Sequence, residues 1–123
     1  MKKILFIGIE KFFVKGILSN LNEDKRTLVK AYVAINAEEI IRIAKENPDL
    51  YAVIFMGYLA VDASEDPFRA NVIVATELAK ILSTDVIMIA ATEHHNTDIE
   101  LLNNGCSKRC SGEEIRKWLK TNV

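Results

Sequence analysis

The side chains that could do chemistry in this chain fall into small groups. Glu10 stands just beyond the apolar run Ile4 to Ile9, Asp62, Glu65 and Asp66 share one short segment, and Glu93-His94-His95-Asn96 follows the run Val86 to Ala91. Carboxylates are the hard oxygen donors that a divalent cation takes, and histidine is both a metal ligand and the side chain that titrates near neutrality. Adjacent histidines at a strand end point to opposite sides, so His94 and His95 are not the chelating pair that i and i+4 histidines on a helix would be. The plainer reading of Glu93 to Asn96 is a solvated loop leading to a helix cap at Thr97. That of Asp66, which precedes Pro67, is an N-cap. Cys106 and Cys110 do not have the C-x-x-C spacing of a redox or zinc site. On one extended strand they would lie about 13 Å apart at ~3.3 Å per residue, too far to bridge each other, so buried free thiols are expected. Gly8-Ile9-Glu10-Lys11 matches neither the dinucleotide fingerprint nor the P-loop, and no cofactor or metal is expected.

The elements that must position these residues alternate regularly. Short apolar runs rich in β-branched residues recur at Ile4 to Ile9, Leu28 to Ile35, Tyr51 to Met56 and Val86 to Ala91, with a weaker one near Cys106 to Cys110. These read as strands. Between them, apolar residues at helical spacing, such as Ile40, Ile41, Ile43 and Ala44 or Val72, Ala75, Leu78 and Leu82, read as crossover helices. Asn36 with Glu39, Thr97 with Glu100 and Ser111 with Glu114 have the capping-box form. Asn47-Pro48 and Asn103-Asn104-Gly105 mark helix ends. Strand-helix alternation without linker or repeat predicts a parallel sheet with helices on both faces. The common doubly wound order for such a chain is 2-1-3-4-5, with residues 1–123 as one domain.

Composition narrows the class. The chain has 16 Lys and Arg against 17 Asp and Glu, a net charge of -1, so no global field draws it to nucleic acid or to an anionic membrane. The opening Met1-Lys2-Lys3 and its apolar run could begin a signal peptide, but the run stops at Glu10 with no small-residue cleavage site. No apolar stretch approaches the roughly 20 residues that cross a bilayer. A soluble, cytoplasmic protein is expected.

Tyr51-Ala52-Val53-Ile54-Phe55-Met56-Gly57-Tyr58, Val86-Ile87-Met88-Ile89-Ala90 and Leu101-Leu102-Asn103-Asn104-Gly105-Cys106-Ser107, in this order and spacing, resemble the response-regulator receiver domains typified by the chemotaxis protein CheY. The resemblance covers nearly the whole chain and implies the flavodoxin-like α/β fold. It also implies a functional pattern: an acidic pair after strand one that binds magnesium, a phosphoacceptor aspartate after strand three, a Ser or Thr after strand four and a Lys after strand five. This chain departs at every place. Gly8 and Ile9 stand for the acidic pair, Gly57 for the acceptor and Ala90 for the hydroxyl, and the Lys-Pro turn is missing. Arg109 stands where the family carries the aromatic residue that moves with that hydroxyl.

The resemblance therefore implies a pseudo-receiver that is not an enzyme and acts by binding another signalling protein or itself. The family-like interaction face, formed by the last two helices and the strand between them, includes Asp98, Lys108, Arg109, Arg116 and Trp118. The spacing of Trp118 with Ile115 and Leu119 favours core packing over an exposed anchor, and a short basic strand at Lys108 and Arg109 resists edge-to-edge aggregation. The alternative is a small-ligand or metal-dependent enzyme of the same fold, with Glu10 and Asp62 as substitute acids beside His94 or His95 at the strand edge.

Overall fold

The computed structural model describes residues 1–123. Strands β1 (Lys2–Ile7), β2 (Val29–Ala34), β3 (Ala52–Phe55), β4 (Ile87–Ala90) and β5 (Lys108–Arg109) form one parallel sheet in the order β2-β1-β3-β4-β5. Six helices connect and flank them: α1 (Lys11–Leu18), α2 (Glu23–Arg26), α3 (Ala37–Glu46), α4 (Pro67–Ile81), α5 (His95–Asn103) and α6 (Gly112–Asn122). No helix is long and apolar enough to cross a membrane.

Alternation along the strands sorts the core into two layers. Leu5, Ile7, Val53, Phe55, Met88 and Ala90 face α3, α4 and α5, meeting Ile40, Val74, Leu78 and Leu101. Ile4, Phe6, Ala52, Ile54 and Ile89 face the other way, onto Val14 and Ile17 of α1 and Ile115, Trp118 and Leu119 of α6. Both faces of β1, β3 and β4 are covered, which is why these strands read as unbroken apolar runs.

The caps at Asn36, Asp66 and Ser111 are in place, each accepting a backbone N–H of its first turn, and Ser111 with Glu114 forms a complete capping box. The expected cap at Thr97 is corrected: α5 begins three residues earlier, with His94 as the N-cap and Thr97 buried inside the first turn. An imidazole Nδ1 accepts from a backbone N–H as a serine oxygen would, which a search for Ser, Thr, Asp and Asn overlooks. The short helix α2, capped by Asn22, also went unread, because its four residues carry no apolar period and bury nothing.

Strand five is shorter than the span Cys106 to Cys110. It pairs only at Lys108 and Arg109, and the two free cysteines pack into opposite layers. Gly105, at φ +122°, turns the chain into it. A β-carbon there would lie 3.2 Å from Ala79 Cβ and 3.3 Å from the Ala75 carbonyl oxygen of α4, so conformation and close packing both call for glycine.

Candidate functional site: a closed strand edge

In a doubly wound sheet the working crevice lies outside the carboxyl ends of the strands. Here the loops leaving β1 and β3 meet backbone to backbone. Gly8 sits at φ +83°, a conformation that favours glycine. A β-carbon on Gly8 would lie 2.5 Å from both the carbonyl carbon and oxygen of Gly57, and one on Gly57 would run into the Gly8 carbonyl oxygen. Ile9 Cγ2 would be the next neighbour of a side chain at position 57, at 3.4 Å.

The register fixes the other positions. β3 ends at Phe55, paired with Ala90 of β4, which in turn pairs with Arg109. Ala90 is fully buried within its strand, and Met56 and Ala91 are the first residues past β3 and β4. Gly8, Ile9, Met56, Gly57, Ala90 and Ala91 carry no side-chain oxygen. A magnesium ion needs a near-octahedral shell of hard oxygens, and the residues at this edge do not fit one.

Polar groups around the edge are engaged in structural roles. Asn71 of α4, fully buried, donates its Nδ2 to the Gly57 carbonyl at 3.0 Å, while its Oδ1 has no partner. The nearest hydroxyl after β4, on Thr92, donates to Asp98 Oδ1 at 2.6 Å, and the Thr92 backbone N–H donates to the same oxygen at 3.1 Å. Asp98 Oδ2 faces Arg109 Nε at 3.4 Å. Asp98 is 1% exposed, which removes it from the expected interaction surface and makes it the tie between α5, the β4–α5 loop and β5. Glu93, the one non-glycine residue at positive φ (61°), accepts from the Gly112 backbone N–H at the start of α6 at 2.8 Å.

His94 contacts Thr97 through Nδ1, 2.8 Å from Oγ1 and 3.3 Å from the backbone N–H. Its ring lies on Phe68, with centroids 4.0 Å apart, and Phe68 meets Tyr58 edge-on at 4.7 Å. His95 is exposed. Glu10 is exposed, and Asp62 lies in the exposed loop after β3. No three His, Cys, Asp or Glu side chains come together in an arrangement that could hold a metal ion. Glu10, Asp62, His94 and His95 are therefore not gathered into one constellation.

On the last helix-strand-helix face, Lys108, Arg109 and Arg116 are exposed as expected. Trp118 is corrected from that face: it is 8% exposed and stacks on Tyr51, with centroids 6.0 Å apart. Burial, with the nearby Asp98 charge adding to it, pushes the Cys106 thiol up to about 12. Burial raises Cys110 as well.

Asn71 was missed in the sequence, although it left a signal: with Val74, Ala75 and Leu78 it completes an i, i+3, i+4, i+7 stripe, so an amide occupies a core position. The burial of Asp98 left none, since an acidic residue in the first turn of a helix is ordinarily a solvated one that complements the dipole.

No family model matches the chain, and no curated protein matches it in sequence. Among solved structures, a two-component response regulator from Clostridium difficile superposes with a TM-score of 0.68 over 98% of this chain and 94% of its own, at 16% identity. The pilus assembly protein CpaE from Caulobacter crescentus superposes at 0.62 over 100% of both chains, at 12% identity. The RcsB response regulator from Salmonella typhimurium superposes at 0.61 over 98% of this chain, which spans 56% of that protein, at 12% identity. The fold is that of the receiver domains, with the strand order expected from the sequence.

Proposed function

We propose that the chain is a cytoplasmic pseudo-receiver: a receiver-fold module that takes no phosphoryl group and signals by binding another protein or itself. The observation that carries this reading is the contact between Gly8 and Gly57, which leaves no volume for a β-carbon, and hence none for a carboxylate, at either place. Glycine offers no nucleophile, and Ala90 and Ala91 offer no hydroxyl to a phosphoryl oxygen. The coupling that a receiver runs from the hydroxyl after strand four to strand five has no members here, because Thr92 is held by Asp98 and Arg109 is paired with the same carboxylate. What is left to engage a partner is the surface, and the face of α5, β5 and α6, with Lys108, Arg109 and Arg116, is the arrangement familiar from receivers.

An amide NMR titration with magnesium and beryllofluoride tests the reading. Resonances of Gly8, Gly57 and Ala90 should stay in place through the titration. Saturable, localised shifts at Glu10 and Asp62 would establish a displaced acidic site and overturn it.

A further inference from the structure

Two exposed apolar features lie on opposite layers of the molecule. On α1, Phe12 and Phe13 are 78% and 58% exposed, their rings meeting edge-on at 5.8 Å. Lys11 and Lys15 flank them, and neither has an acidic partner. Gly16 on the same helix faces open space, so another molecule can approach α1 closely. On the α3–α4 side, the loop after β3 and α4 border a groove of about 460 Å³. Leu59, Val61, Ile73 and Val74 line it, its only charged lining residues are Asp62 and Glu65, and Ile73 is 53% exposed. These two carboxylates likewise have no basic partner.

We propose that the Phe12–Phe13 knob of one copy of this chain docks into the Leu59–Val74 groove of a second copy, with Lys11 and Lys15 meeting Asp62 and Glu65. An aromatic pair bracketed by unpaired lysines and an apolar groove rimmed by unpaired carboxylates are complementary in both shape and sign. The α1 and α3–α4 layers lie on opposite sides of the sheet, so the contact is heterologous and leaves a free knob and a free groove at the two ends of any complex that does not close into a ring. With 78% and 58% of their surfaces free, two aromatic side chains bring roughly 200–340 Å², below the roughly 800 Å² per partner of a standard interface. Association is therefore weak, concentration-dependent and weakened by salt. It uses neither the Gly8–Gly57 contact nor the α5–β5–α6 face, so it stands or falls apart from the proposed function.

Sedimentation of the full chain from micromolar to millimolar concentration tests it. The average mass should climb past that of a dimer, and the double variant F12S/F13S, altered only at exposed positions, should stay monomeric. Ala60→Trp, which fills the groove from an exposed position, should do the same. Mixed, these variants should form a 1:1 complex and stop there, since each retains the half the other lacks. A second pair avoids any folding defect of the first: K11E/K15E should be monomeric and should complex with D62K/E65K. A wild-type chain that stays monomeric at millimolar concentration overturns the proposal. So does assembly that survives the variants, or mixtures that fail to complex.

Discussion

A single β-carbon is the decisive quantity at the strand edge. Gly57→Ala must push the Gly8 carbonyl away, and overpacking of this kind costs roughly 1–3 kcal/mol. Gly8→Ala adds the cost of a positive φ, about 1–3 kcal/mol. Both variants should lose stability in urea titration, with no gain in ion binding. Gly16→Ala, where a β-carbon meets open space, should instead match or exceed wild type, since alanine is the better helix former.

Cys106 gives a second measurement at this scale. Its folded-state value is raised from 9.0 to about 12, so the protonated thiol's contribution is complete below the unfolded value and is lost as pH climbs from about 9 towards 12. The loss should run at ~1.4 kcal/mol per pH unit. The readout is the difference between wild type and Cys106→Ala, measured by urea titration at each pH, which cancels the contribution of every other group. The native protein at pH 8 should also resist thiol reagents until denaturant is added, because both cysteines are buried and neither forms the reactive thiolate.

At the scale of elements, the β4–α5 loop is held from three sides. Thr92 is tied to Asp98, Glu93 caps α6, and His94 caps α5 while lying on Phe68 of α4. Asp98→Ala releases two hydrogen bonds to a buried carboxylate and frees Arg109, and should cost about 2–3 kcal/mol. Ser111→Ala should cost about 1 kcal/mol through the lost cap. If the loop is one unit, hydrogen exchange in Asp98→Ala should quicken at the start of α6 as well as in α5, whereas Ser111→Ala should leave α5 unchanged.

Much of this architecture was legible before the structure. Apolar runs such as Ile4 to Ile9 and Tyr51 to Met56 announced strands buried on both faces, and the caps at Asn36, Asp66 and Ser111 bounded their helices. The strand edge could be read as well: the apolar runs place Gly8, Ile9, Gly57 and Ala90 at or just beyond the ends of their strands, and β1, β3 and β4 end at Ile7, Phe55 and Ala90. What could not be read depends on distance between segments far apart in the chain. Nothing in either loop states that Gly8 and Gly57 touch. The cap at His94 depends on which way one ring is turned, and the burial of Asp98 on a short strand that packs across it.

At the scale of the whole molecule, the two core layers share one sheet, and α6 returns to lie beside β1 and β3 through Trp118 and Tyr51. The fluorescence of the single tryptophan should therefore report loss of the entire fold. Its unfolding curve should coincide with that of far-ultraviolet circular dichroism, as expected of one domain. A Trp118 transition that precedes the loss of helix would mean that α6 detaches separately.

The meeting of Gly8 and Gly57 also bears on how this chain could ever be changed. A carboxylate introduced at either position alone collides with main chain, and main chain cannot rotate aside as a side chain can. Any path to a carboxylate at either place thus begins with a step that destabilises the fold. Placing a side chain there requires both loops to be rebuilt together, so these two glycines are kept by the shape of the backbone around them.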